Sequence, residues 1–344
     1  MKNHNPLILR FPAFNTLVSL SVYADESRAQ NCLMHVKDLC DTYERTFSRT
    51  LEGSDVSRIN SASGNRTYVD KHCAELVSLA LDYCAKSGGI FDITIGAVSR
   101  LWDMKRGIIP VQSDIEAALK HVNWQCIEIG FEASSKKHWV RLGDPHASID
   151  LGGIAKGWIA DRLGEMLQDA GVQGYCIDLG GNVLVGGEKP DASLWKISLR
   201  TPSLTAASSS KSSQYPADNP NPTGIPPASN TSKASDASPK RTANTEMLCN
   251  KIYSQTLGLS HGSVATSGIY ERAFISNGRL YHHILDPKTG YPADCKHASV
   301  SVVCERSIDA EGFSTTLLAL DDKQANRLIE CTPEIKQAIY QDFS

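Results

Sequence analysis

Two stretches, ASIDLGGIAKGWIADRLGEML (147–167) and GYCIDLGGNVLVGG (174–187), share the pentapeptide Ile-Asp-Leu-Gly-Gly, at 149–153 and again at 177–181. The sequel to each copy decides the fold. After the first, Ile154, Trp158, Ile159, Leu163, Met166 and Leu167 recur with the 3.6-residue period of a helix that has one apolar face. After the second, Asn182–Gly187 alternates and is β-branched, as expected of a strand returning beside its predecessor. The phrase is thus expected to act once as strand, turn and helix, with Ile149–Leu151 ending a strand, and once as a hairpin. A strand, a glycine turn and a helix N-terminus together present unpaired N–H groups and a positive dipole end, a natural anion site. Lys156 adds a formal charge there, so a phosphate is expected beside it. Taken alone, a bare D-L-G-G is equally satisfied by a sharp turn, and the G-x-G-x-x-G dinucleotide fingerprint is missing.

Working outward, residues 8–24 alternate as strand, and Ala29, Cys32, Leu33, Val36, Leu39, Cys40, Tyr43 and Phe47 keep helical spacing. The polar run 52–60 reads as a turn-forming loop. A second amphipathic helix is expected over 74–85, stopped by Gly88-Gly89, and another over 113–121. Asn277-Gly278 signals a hairpin, HASVSVVC (297–304) a strand and DAEGFSTTLLALD (309–321) a helix. Residues 203–245 are Ser-, Pro-, Ala- and Thr-rich with almost no large apolar side chains, a composition that cannot offset its ordering entropy. This segment is expected to be a disordered insertion, because LWKISLR (194–200) before it and CNKIYSQTLGLS (249–260) after it read as neighbouring strands. The expectation is a single unit formed by 1–202 and 246–344. Helices interspersed with hairpins point to an α+β fold of mixed or antiparallel sheets with packed helices.

Composition excludes several classes of function. A net charge of -3 and a pI near 6.4 leave no basic field for nucleic acid. No stretch is long and apolar enough for a membrane span. The ten cysteines are scattered singly, without a CxxC pair, and read as small buried hydrophobes. With no signal-peptide pattern at the N-terminus, the chain is expected to be cytoplasmic. Ser267 beside Gly268 lacks the G-x-S-x-G elbow of a serine hydrolase.

Seven motifs assemble into something more specific: GSDVSRIN (53–60), GGIFDITIG (88–96), DLGGIAKGWIAD (150–161), DLGGNVLVGG (178–187), SVATSGIYER (263–272), HHILDPKTGYP (282–292) and EGFST (311–315). In this order, and spanning nearly the whole chain outside the insertion, they resemble the ApbE-like family of FAD:protein FMN transferases. The resemblance implies an ApbE-like (T-fold-like) architecture. It also implies an enzyme that cleaves FAD and places FMN on a Thr or Ser of an acceptor flavoprotein, at a D-G-x-[ST]-[GS]-A-[ST]-like sequence, releasing AMP. A Mg²⁺-dependent FAD pyrophosphatase using water, or a non-catalytic FAD-binding protein, are the alternatives on the same residues.

Residue by residue, the resemblance implies that Mg²⁺ is held by a backbone oxygen of Gly153 and by Glu311 and Thr315, whose i, i+4 spacing shares a helix face. The family's usual acid is Asp, so Glu311 is one methylene longer; Asp309 would point elsewhere. His283 is the implied catalytic base, and His282 would lie on the opposite strand face. FAD contacts are implied for Phe14, Ile90, Phe91, Asp92, Asp150, Lys156 and Leu285. Phe14 replaces a Met, and Thr50 stands where relatives often carry Tyr.

Overall fold

The computed structural model describes residues 5–203 and 253–343. Its centre is a seven-stranded antiparallel sheet of β1 (Leu7–Ala13), β2 (Thr16–Tyr23), β6 (Gly174–Leu179), β7 (Asn182–Gly187), β10 (Gly262–Gly268), β13 (Ser299–Cys304) and β14 (Gln337–Gln341), in the order β1-β2-β6-β7-β10-β13-β14. Period-two alternation sends successive side chains of each strand to opposite faces, and the central strands are apolar on both. On β10 and β13, Ala265 and Val302 point to the main core, while Val264 and Val303 point to the other side.

Helices cover the first face. Among them are α1 (Glu26–Phe47), α6 (Ala155–Asp169) and α7 (Ser307–Ala319), while α2 (Asp55–Ser61) packs on α1 and α3 (Lys71–Lys86) contributes to the same core. The apolar stripe of α6 buries Trp158 edge-on against Tyr43 and Phe47 of α1, and Gly164 lets it settle over Tyr175 and Leu184 of the sheet. α7 is buried on almost every side, as expected of a helix apolar nearly all round. The second face is covered by the hairpin β8 (Trp195–Arg200) and β9 (Tyr253–Leu259), whose Trp195, Ile197, Leu199 and Leu257 pack on Val185, Val264 and Val303. The expected neighbouring strands therefore do pair, with Trp195 opposite Leu259 and Ile197 opposite Leu257. Apart from Ser203, the segment expected to be disordered lies outside the described residues.

Smaller elements complete the α+β architecture. A three-stranded sheet is built from β3 (Thr67–Val69), β4 (Ile127–Glu132) and β5 (Lys137–Leu142). The hairpin β11 (Ala273–Ser276) and β12 (Arg279–His282) turns at Asn277-Gly278 with both residues at positive φ. Short helices α4 (Gly96–Ser99), α5 (Gln112–Leu119) and α8 (Asp322–Cys331) fill the remainder. The helices expected from periodicity form, as do the hairpin, the strand β13 and the helix α7.

Two local expectations need correction. The loop expected over 52–60 is helical from Asp55 on, in the helix Asp55–Ser61, because Ser54 accepts the Ser57 N–H as an N-cap and Val56 and Ile59 are one turn apart, both buried. Residues 149–151 do not form a strand: an isolated bridge joins Ser148 to Ile95, and the backbone groups of Ile149 and Asp150 find other partners. The nine cysteines among the described residues are all free thiols, and only Cys331 is exposed.

Candidate functional site

The two Ile-Asp-Leu-Gly-Gly phrases form the same local device. In each, the aspartate accepts the N–H two residues on: Asp150 Oδ1 from Gly152 at 2.9 Å, and Asp178 Oδ1 from Gly180 at 2.9 Å and Gly181 at 3.2 Å. The glycines serve different ends. Gly180 and Gly181 take φ of +74° and +95° to close the β6–β7 hairpin, whereas Gly153 has ordinary φ and instead leaves room for the Phe91 ring, which a Cβ would meet at 3.2 Å.

The first turn is held from outside. The Asn60 side chain bridges both backbone groups of Ile149, donating to its oxygen at 3.0 Å and accepting from its N–H at 2.7 Å. Asp150 N–H donates to Ile93 O, and the Asp150 carboxylate lies 3.3 Å from Arg49 Nε and 3.4 Å from Ser99 Oγ. The turn's position is thus fixed by α2, by the segment after Phe91 and by the residue following the C-cap of α1.

From this turn α6 runs directly onto α7. At Gly157 the helices touch backbone to backbone, since a Cβ there would stand 2.6 Å from Ser307 O. One turn later Asp161 accepts the N–H groups of Ser307 at 2.7 Å and Ile308 at 3.0 Å, capping α7 from a neighbouring helix. Burial pushes the Asp161 carboxyl up to about 6, against the lowering effect of those two bonds. Held this way, α7 delivers the buried Glu311 to the start of α6: its Oε2 accepts the Gly157 N–H and its Oε1 pairs with Lys156 Nζ. Thr315, one turn on, shares a hydroxyl cluster with Ser267 of β10 and Ser314. Asp309 faces away from Glu311, taking the Tyr83 hydroxyl.

His283 stands at the end of β12, its N–H on Arg272 O at 3.1 Å. Its Nδ1 is sealed from solvent without a hydrogen-bond partner among the described residues. Burial lowers its pKa to about 3, aided by the positive charges of Arg272 and, more weakly, Lys156. His282 is buried too and lowered to about 4 by burial. Burial raises the carboxyl of Glu271, while Lys156, Arg272 and Arg200 pull it back. Lys156 thus pairs with Glu311 while its charge acts on Glu271 and His283, which links the motifs at 150–161, 263–272, 282–292 and 311–315 electrostatically.

The other expected contacts divide. Phe91 packs over Gly153, and Leu285 joins Ile95, Val98 and Trp102 in an apolar cluster beside it. Phe14, at φ +54° in the β1–β2 turn, donates its N–H to Glu44, and neighbouring Thr16 packs on Gly180. Ile90 is half-buried. Asp92 is turned inward: its carboxylate takes Thr94 N–H, Thr94 Oγ1 and Trp124 N–H, and burial raises its pKa. Nothing in that arrangement offers the carboxylate to a ligand. Arg49, Asn60 and Asp161 were not singled out from sequence. The partners of Asn60 and Asp161 are backbone groups about ninety and about 146 residues away, which no spacing rule reveals.

Glu311 and Thr315 offer a carboxylate and a hydroxyl, and Gly153 a backbone oxygen in the turn that leads to them. Such a hard, all-oxygen set fits Mg²⁺, which commonly takes only one or two protein carboxylates. The buried Glu311 carboxylate already holds a positive group, the Lys156 ammonium, so a cation is electrostatically at home there. No group of three or more His, Cys, Asp and Glu side chains is placed to hold a metal among the described residues.

The family profile described as ApbE family matches residues 14–217 and 237–339. A protein of Treponema pallidum named FAD:protein FMN transferase is 28% identical over 334 residues, covering 93% of this chain and 80% of its own length. A Klebsiella pneumoniae protein of the same name is 29% identical over 307 residues, covering 88% and 79%. Among solved structures, the ApbE protein of Thermotoga maritima superposes with a TM-score of 0.74 at 25% identity, covering 97% of this chain and 94% of that one. The apo flavinyl transferase ApbE of Pseudomonas stutzeri gives 0.72 at 23% identity, covering 98% and 91%, a likeness of fold.

Proposed function

The chain belongs to the ApbE family, and from that premise we propose that it transfers the FMN half of FAD to a Thr or Ser hydroxyl of an acceptor flavoprotein, releasing AMP. The observation that carries the reading is the meeting of Glu311 with Lys156 and Gly157 at the N-terminus of α6, within the electrostatic reach of His283. Gly153, Glu311 and Thr315 would hold Mg²⁺, which when bound draws negative charge off the diphosphate oxygens.

This chain's own groups supply the rest. Lys156, at the start of α6, binds and orients the diphosphate. Asp150, held by its own Asx turn and by Arg49, presents a fixed polar edge to the nucleotide, and Phe91 and Leu285 supply apolar surface. His283 is neutral at physiological pH and can accept the proton of the incoming hydroxyl as its oxygen bonds to the FMN phosphorus. The bond from that phosphorus to the AMP phosphate then breaks, and AMP leaves. A pKa near 3, set first by burial, makes for a weak base, and a diphosphate that offsets Arg272 and Lys156 would raise it.

The test is incubation with FAD, Mg²⁺ and an acceptor bearing a D-G-x-[ST]-[GS]-A-[ST]-like sequence. A flavin-fluorescent acceptor band that survives denaturation is expected, and Glu311→Ala should abolish it. FAD binding with no labelled acceptor would count against transfer.

A further inference from the structure

We propose that the Lys156 ammonium and the divalent cation take turns on Glu311, so that cation binding releases Lys156 to the diphosphate. The inference rests on Glu311 being a cation ligand, as the proposed function has it.

Both oxygens of this buried carboxylate are engaged, Oε1 by Lys156 Nζ and Oε2 by the Gly157 N–H. The two partners differ in freedom. The Gly157 N–H belongs to helix backbone pressed against the backbone of α7, and it cannot withdraw without parting the helices. Lys156 ends a flexible four-carbon stem and is half-buried. A divalent cation arriving at Oε1 would repel an ammonium on the same oxygen, and of the two partners only the ammonium can leave. It has somewhere to go: the Glu271 carboxylate already feels its charge, and a bound diphosphate would offer a stronger partner. Until a cation arrives, the Glu311 charge is balanced by the chain's own lysine. By linkage, a ligand that draws Lys156 away must tighten cation binding at Glu311, and the cation must tighten that ligand in return.

The test uses Mn²⁺ as probe, counting free ion by electron paramagnetic resonance on the full chain without nucleotide. Lys156→Met, which keeps the stem and removes the charge, should bind Mn²⁺ at least ten-fold more tightly than the wild type, and Lys156→Gln should do the same if the Met variant folds poorly. ADP should tighten Mn²⁺ binding more in the wild type than in either variant. Glu311→Gln should abolish binding in all backgrounds. In parallel, labelling of Lys156 by an amine-reactive ester, read by mass spectrometry, should accelerate when Mn²⁺ is added alone and slow again with ADP. Equal or weaker Mn²⁺ binding by both lysine variants, or an unchanged labelling rate, overturns the exchange and leaves the cation reading intact. Absence of any Glu311-dependent Mn²⁺ binding overturns both.

Discussion

Gly157→Ala adds one methyl at the point where α6 meets α7. The new carbon would lie 2.6 Å from Ser307 O, 2.7 Å from Ile308 Cα and 2.9 Å from Ile308 N, where ordinary contact begins at 3.4 Å. The helices must separate by about 0.8 Å at this point, because all three neighbours are main chain and no rotamer change relieves them. Overpacking of this kind costs about 1–3 kcal/mol or more. The helix preference of alanine returns about 1 kcal/mol, but the separation also stretches the Asp161 cap, worth about 1 kcal/mol. The last two offset each other, and a net loss of about 1–3 kcal/mol should lower Tm by roughly 2–5 °C. Gly164→Ala, on the same helix, is the control: its carbon meets Leu184 Cδ2 at 2.9 Å and Tyr175 OH at 3.0 Å, both ends of side chains that can shift. That variant should lie within about 1 kcal/mol of wild type. Urea unfolding measures both. Mn²⁺ affinity should fall only in Gly157→Ala, as Glu311 is drawn off the Gly157 N–H. The reasoning is refuted if the two variants unfold together or if Gly157→Ala is as stable as the parent.

Other perturbations of the same geometry have equally definite outcomes. Asn60→Ala strips two partners from the backbone of Ile149 and should cost about 1–3 kcal/mol in urea unfolding, with a raised KM for FAD as Asp150 loosens; a change confined to stability would sever the proposed link from α2 to the nucleotide. His283→Gln should lower kcat by about 10²–10⁴-fold with little change in FAD affinity, read by acceptor labelling and equilibrium binding; an unaffected kcat would remove His283 from the chemistry. His282 and His283 are depressed from 6.5 to about 4 and about 3, so the stability they contribute is complete above about pH 6.5 and is lost as pH falls from there toward their folded values. Asp161, raised from 3.8 to about 6, runs the other way, its contribution being present below 3.8 and lost as pH rises through 6. Denaturant midpoints taken from pH 7.5 to 4 should therefore fall less steeply in His282→Gln than in wild type and more steeply in Asp161→Asn; parallel curves would contradict the assigned titrations.

Legibility in the chain depended on whether the governing interaction was periodic or point-to-point. Trp195, Ile197 and Leu199 alternate, as does their partner strand, so their pairing was legible even across an intervening segment of different composition. Asp178 and Gly180-Gly181 announced the β6–β7 hairpin in the same way. Helix α2 was not legible because five of its seven residues are polar and only Val56 and Ile59 mark its buried side. The partners of Asp92 were not legible either: Thr94 and Trp124 donate to its carboxylate from within the fold. Asp161 and Asn60 act on main-chain groups far along the chain, and main-chain groups leave no signature in a sequence.

The β8–β9 hairpin has a practical corollary. Arg200 and Tyr253 are paired across it, so the two strands reach the intervening stretch side by side, and whatever joins them need only close a gap of one strand spacing, near 5 Å. The fold therefore sets the distance between the two attachment points and places little demand on how much polypeptide is spliced between them. A tag, a binding module with adjacent termini or a plain four-residue connector could be exchanged at that junction, which makes it a natural handle for immobilising or tracking the protein.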